Sequence, residues 1–123
     1  MKLEPLLYVS DLRDTVKFYC QVLGFDLGEY YPDEQSPTYA SILIDGHKLM
    51  LVQGGERIPS FHKHGICGSG IQLFVQVPNV DEVHGRVKGN AKVADGIEDK
   101  DWGDREFTIT DPDGYLITFY TPL

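Results

Sequence analysis

Few of the side chains able to do chemistry stand in a recognisable chemical pattern. His62 and His64 are two positions apart, so on an extended segment both imidazoles would share a side and could serve a metal; in an irregular glycine-rich stretch the same pair reads as polar surface. His47 sits in a turn and His84 on a helix flank, where solvated or packing roles are expected. Cys67 follows His64 closely enough to suggest a thiol nucleophile, but no third group to orient the base is evident. Cys20 falls inside a helical pattern, as a small packing residue would. Trp102 is the sole tryptophan and reads either as a rim platform for a planar or cationic group or as core filling. Arg105 beside Glu106 reads as an ordinary structural ion pair. The chain has no Gly-x-Ser-x-Gly elbow, and its glycine-rich stretches, Gly54-Gly55 and Gly65 to Gly70, lack the lysine and adjoining helix that cradle a phosphate.

Composition narrows the classes of partner. With 123 residues the chain makes one domain or two small halves. A formal net charge of −8 argues against nucleic acid and against an anionic membrane surface, and it permits a cationic ligand. No apolar run is long enough to cross a membrane, and nothing at the N-terminus suggests export. Two cysteines are too few for a disulfide framework or a zinc cluster, so a cytoplasmic protein with reduced thiols is expected.

The elements that must position these residues alternate in type. Leu3 to Val9 reads as a strand and Leu12 to Leu23 as an amphipathic helix, capped by Ser10 or Asp11 and closed by Gly24. Strands follow at Phe25 to Tyr31, Tyr39 to Ile44 and Lys48 to Val52, the last two joined by Asp45-Gly46-His47. Residues 54–70 form a linker, which either covers a site or crosses between halves. Beyond it come a strand over Ile71 to Val77 and a short helix from Val80, capped by Asn79 with Glu82. Strands at Lys92 to Ile97, Phe107 to Thr110 and Tyr115 to Tyr120 complete the chain, with Glu98 to Asp101 an acidic turn. Asp111-Pro112-Asp113-Gly114 is the strongest turn signal: Pro112 suits the first central position, and Asp113-Gly114 tolerates the positive φ that follows.

Both halves thus read βαβββ, residues 1–53 and 71–123. An offset of 68 lays Glu4 on Gln72, Leu6 on Phe74, Asp11 on Asn79, Phe25 on Val93, Tyr39 on Phe107 and Asp45 on Asp113 without gaps. Each unit is too small to bury a sheet face alone, so the pair is expected to form a single α+β domain with a shared core.

Two such modules, with Tyr8-Val9-Ser10-Asp11-Leu12, Phe18-Tyr19, Leu23-Gly24-Phe25 and the closing Trp102-Gly103-Asp104-Arg105-Glu106-Phe107, resemble the vicinal oxygen chelate superfamily of glyoxalases, extradiol dioxygenases and bleomycin resistance proteins. The Trp102 to Phe107 run is most similar to the bleomycin-resistance branch. The resemblance implies a curved, cup-shaped mixed sheet with helices outside, completed by a second subunit as a homodimer, with modules in some cases exchanged. It also implies metal positions at Glu4, Met50, Gln72 and Thr118. Only Glu4 is a strong oxygen donor there, and a divalent ion needs at least three converging N or O donors, so no metal cofactor is expected.

Strand alternation from Glu4 then places Leu6, Tyr8, Phe74, Leu116, Thr118 and Tyr120 on one face. With Trp102 at the rim, they form a lining suited to an organic ligand held by stacking. The expected function is a metal-independent binding protein that sequesters a small organic molecule, a cationic aromatic one among the candidates, in a cleft at a dimer interface, with no catalytic residue. The alternative is a divalent-metal-dependent lyase, isomerase or dioxygenase, whose ion would chelate vicinal oxygens.

Overall fold

The computed structural model describes residues 1–54 and 70–123. Phe61, His62, His64 and Cys67 lie outside the described residues, as does most of the 54–70 linker. The chain divides into two compact units, 1–67 and 68–123.

The first unit runs β1 (Leu6–Val9), α1 (Leu12–Lys17), a π-helical segment (Phe18–Val22), β2 (Asp26–Tyr31), β3 (Tyr39–Ile44) and β4 (His47–Gln53). Its sheet has the order β1-β4-β3-β2, with β1 parallel to β4 and the other pairs antiparallel. The second unit repeats this with β5 (Gln72–Gln76), α2 (Val80–Val87), β6 (Lys92–Asp99), β7 (Asp104–Thr110) and β8 (Leu116–Pro122), in the order β5-β8-β7-β6. Two βαβββ modules, each a mixed four-stranded sheet with one helical layer, make an α+β fold.

Cap chemistry starts both helices in the same way. The Asp11 carboxylate accepts from the Asp14 N–H at 3.0 Å, and the Asn79 side-chain carbonyl accepts from the Glu82 N–H at 3.3 Å. The helix expected to end at Leu23 changes character at Phe18, where Leu23 N–H reaches back five residues to the Phe18 carbonyl at 3.1 Å. The wider turn seats Tyr19 in the core, edge-on to Phe18 and stacked with Phe25. Burial and the nearby Asp26 carboxylate push the Cys20 thiol up, as suits a packing residue.

Each helix covers one sheet face. Leu7, Val9, Ala40, Ile42, Leu49 and Leu51 are buried in the first unit, and Phe107, Ile109, Ile117 and Phe119 in the second. The Val, Leu, Ile and Phe side chains among them contribute about 1.5–3 kcal/mol each when fully buried. His84 packs edge-on to Phe107 at 4.9 Å, a packing role for this imidazole.

Several expected boundaries shift. β1 begins at Leu6, so Glu4 precedes the strand, and the Pro5 carbonyl accepts from Met50 N–H at 2.9 Å. Glu98 and Asp99 are not in a turn but end β6; the turn is 100–103, and β7 starts at Asp104. Counter-charges make this possible: Lys100 pairs with Glu98 and Asp95, and Arg105 with Asp99. At the Asp111–Gly114 turn only Gly114 takes positive φ (91°), while the Asp111 carboxylate accepts from the N–H groups of Asp113 and Tyr115.

The gapless superposition also fails in part. Leu6 opposite Met50 matches Phe74 opposite Thr118, keeping the offset of 68. However, Tyr39 opposite Val52 matches Glu106 opposite Tyr120, so the equivalent of Tyr39 is Glu106 and not Phe107. Similarly Leu27, opposite Ile42, corresponds to Val93, opposite Ile109, which displaces Phe25 from the pairing expected for it. Turn lengths are the cause, because Ile44 pairs directly with His47 whereas five residues separate Thr110 from its partner Leu116.

Candidate functional site

In each unit the strand alternation that sends one set of side chains to the helix sends the other to a helix-free face. In the second unit this face carries Gln72, Phe74 and Gln76 of β5, Leu116, Thr118 and Tyr120 of β8, and Glu106, Thr108 and Thr110 of β7. Four of the expected lining residues, Phe74, Leu116, Thr118 and Tyr120, therefore do share a face. Phe74 packs edge-on to Tyr120 at 5.9 Å yet remains 53% exposed. The Tyr120 hydroxyl donates to the Gln76 side-chain carbonyl at 3.2 Å.

A polar row crosses the middle of this face. The Gln72 amide donates to Thr118 Oγ1 at 2.6 Å, and the Thr118 and Thr108 hydroxyls share a hydrogen bond of 2.7 Å. Thr118 has no exposed surface, so its part is to hold Gln72 and Thr108 in place. Further along β7, Glu106 is 4% exposed and its carboxylate accepts from the Trp102 indole N–H at 3.3 Å. Trp102 stands in the 100–103 turn, 65% exposed, which removes the core-filling role.

The expected Arg105–Glu106 pair is not formed. Neighbours on a strand point to opposite faces, and Arg105 lies on the helix side, where its guanidinium binds Asp81 of α2 at 3.0–3.2 Å and Asp99 at 3.0 Å. Hydrogen bonds from the Arg105 guanidinium hold the Asp81 carboxyl below its ordinary value.

In the first unit Leu6 and Tyr8 share the corresponding face with Met50 and Val52. A cleft of about 480 Å³ opens beside them, lined by Glu29, Tyr31, Thr38, Tyr39 and Val52. Burial, followed by the carboxylates of Glu29 and Glu4, pushes the Tyr39 phenol up. Sequence reasoning missed Glu29, Tyr31 and Tyr39 as lining residues. Their signal was the tyrosine pair closing β2, whose register is set by a bulge that alternation does not foresee.

The four positions at which a metal would be held do not fit one chemically. The Glu4 carboxylate lies 3.6 Å from Lys2 Nζ and 3.9 Å from Lys48 Nζ. Met50 offers only a thioether, and the Gln72 and Thr118 groups are bonded to each other. Among the described residues no group of three or more His, Cys, Asp or Glu side chains is placed to hold a metal ion. No helix among them is long and apolar enough to cross a membrane.

Comparison with known proteins agrees with this architecture. The model of the Glyoxalase/Bleomycin resistance protein/Dioxygenase superfamily matches residues 3–119. A bleomycin resistance protein of Geobacillus stearothermophilus is 26% identical over 129 residues, spanning 94% of this chain and 92% of its own. Among solved structures, TioX from Micromonospora sp. ML1 is similar with a TM-score of 0.78 at 25% identity, over 100% of this chain and 97% of that one. TnmS3, an antibiotic binding protein from Streptomyces sp. CB03234, is similar with a TM-score of 0.78 at 25% identity, over 100% and 97% of the two chains.

Proposed function

We propose, from the premise that the chain belongs to the Glyoxalase/Bleomycin resistance protein/Dioxygenase superfamily, that it is a metal-independent binding protein for a small organic molecule. The ligand class is an aromatic molecule bearing a positive charge; the bleomycin resistance relative and the similar antibiotic binding protein support a small organic ligand. The observation that carries this reading is the helix-free face of the second sheet. Exposed aromatic rings, Phe74 and Trp102, flank a row of polar groups already committed to one another, and carboxylates lie alongside.

Rings left in water on such a face offer stacking area, and an indole beside carboxylates favours a cation. Gln72 and Thr118, where family metal chemistry would need donors, instead form a hydrogen-bonded floor. The contacts are assigned to Phe74, Trp102, Leu116 and Tyr120 of the second unit, with Thr118 beneath; Leu6 and Tyr8 are assigned to the helix-free face of the first. A second copy of the chain completes the cleft, and the compartment is the cytoplasm. The exposed apolar side chains of Leu27, Ile71 and Phe74 support an oligomer.

The test is metal analysis of protein purified without chelator, together with titration of Trp102 emission by bleomycin. Metal-free protein with saturable quenching is expected. A stoichiometric transition metal that is lost on Glu4→Ala would overturn the reading in favour of a metal-dependent lyase, isomerase or dioxygenase.

A further inference from the structure

The hairpin of β6 and β7 holds a lysine in an unusual setting. Lys100 Nζ lies 5.8 Å from the centroid of the Trp102 ring, 2.9 Å from Asp95 Oδ2 and in hydrogen-bond contact with Glu98. The Lys100 side chain is only 13% exposed, while those of Asp95 and Glu98 are 54% and 59% exposed. An ordinary surface pair keeps both partners in water and gains little from the contact. Here the lysine side chain as a whole is largely covered, while its carboxylate partners and the indole still face solvent. Lysine is rarely covered to this extent unless its charge is fully met.

We propose that Lys100 is the tethered occupant of an ammonium subsite built by Trp102, Asp95 and Glu98, and that a cationic group of a ligand enters the subsite by displacing it. The inference rests on the ligand-binding reading only for the source of the competing cation. The partners are those that hold ammonium groups generally: two carboxylates for charge and an aromatic face for the cation–π contact. Glu106, beneath Trp102, is a positioning residue, since its carboxylate accepts the indole N–H and fixes the ring's orientation.

Displacement does not require the turn to open. Lys100 N–H donates to the Asp104 carbonyl at 2.7 Å, Gly103 N–H to the Lys100 carbonyl at 3.1 Å and Leu123 N–H to the Gly103 carbonyl at 2.8 Å. The backbone is thus pinned independently of the lysine head, and the flexible four-carbon stem can carry the head into water once a competing cation takes its partners. Charge pairs are conserved in the exchange, because the ligand cation takes the partners that Lys100 releases. The lysine therefore sets a threshold: a ligand needs aromatic contact in addition to its charge, and simple amines and salt cations fail to compete.

The experiment uses the full chain and two probes of similar shape, 1-methylquinolinium, which is cationic, and quinoline, which is neutral at neutral pH. Binding is read by Trp102 emission and by calorimetry. Lys100→Met is expected to bind the cation about tenfold more tightly than the native chain, as expected of a freed cation–π and carboxylate site, with quinoline unchanged. Lys100→Arg, which refills the subsite, is expected to behave like the native chain. Lys100→Gln must tighten cation binding as Met does, so a poorly folded Met variant leaves the test intact. Equal changes for the two probes, or no cation binding by either neutral variant, would overturn the proposal. If the native chain ignores bleomycin but the neutral variants gain the cation, the subsite stands and the ligand-binding reading falls.

Discussion

Thr118 has no exposed surface, and its hydroxyl joins Gln72 to Thr108 through bonds of 2.6 and 2.7 Å. A buried group that loses its partner pays the desolvation penalty without return. Thr118→Val keeps the shape and removes the hydroxyl, leaving the Gln72 amide and the Thr108 hydroxyl to find other partners. A loss of about 1–3 kcal/mol in denaturant unfolding is expected. Thr118→Glu, which would install the carboxylate of metal-dependent relatives, is expected to cost more, since it puts a charge where no cation pairs with it. If Thr118→Val unfolds at the native midpoint, the row contributes nothing to the sheet. The threonine's mismatch with a metal ligand was legible from residue type alone. The hydrogen-bonded row through Thr118 was not, because it depends on which three strands lie side by side.

Elements are fixed by close approaches that residue types only hint at. In β2, a Cβ added to Gly28 would lie 2.3 Å from Ser41 Oγ, the hydroxyl that accepts from the Glu29 N–H at 3.0 Å. Gly28→Ala is therefore expected to destabilise the first unit by about 1–3 kcal/mol through overpacking. Adding Ser41→Ala should recover part of that loss but not all, because the Ser41 carbonyl would still lie 3.1 Å from the new methyl. Thermal melts of the two singles and the double read the coupling, and strict additivity would show that the contact is not the cause. In the other unit, Asp81 ties α2 to Arg105, and its carboxyl is held below its ordinary value chiefly by hydrogen bonds from that guanidinium. A depressed carboxyl pKa stabilises the fold above the unfolded value of about 3.9 and ceases to do so as pH falls through the folded value. Melting temperatures of the native chain and Asp81→Asn should differ at neutral pH, begin to converge as pH falls through about 4 and meet only below the folded value. A gap that persists in acid would assign the effect to packing. Helices and strand cores were readable from periodicity and caps: the second cap fell at Asn79 as expected, and the first at Asp11, one of the two candidates. The face assignment of β7 was not: a longer turn slips that strand by one residue, which turns Glu106 to the helix-free face and Phe107 to the core.

At the scale of the whole molecule, the repeat at an offset of 68 was the most legible feature, since two units of the same element order follow from it. The chain's formal charge of −8 was equally plain, but its role depends on where charge is already spent. Around Trp102 the lysine offsets one of its two carboxylate partners, so a cation arriving there feels a modest local charge on top of the broader negative field. The broader field is screened strongly by salt, contacts to exposed carboxylates less so, and stacking hardly at all. Between about 0.01 M and about 1 M salt the Debye length falls from about 30 Å to about 3 Å. Over that range the affinity of 1-methylquinolinium should fall several-fold while that of quinoline holds nearly constant. In Lys100→Met the salt response should steepen, because both carboxylates then act unpaired on the incoming cation. A cationic probe whose binding ignores salt would mean that stacking alone holds the ligand, and that the acidic composition serves solubility and not recognition.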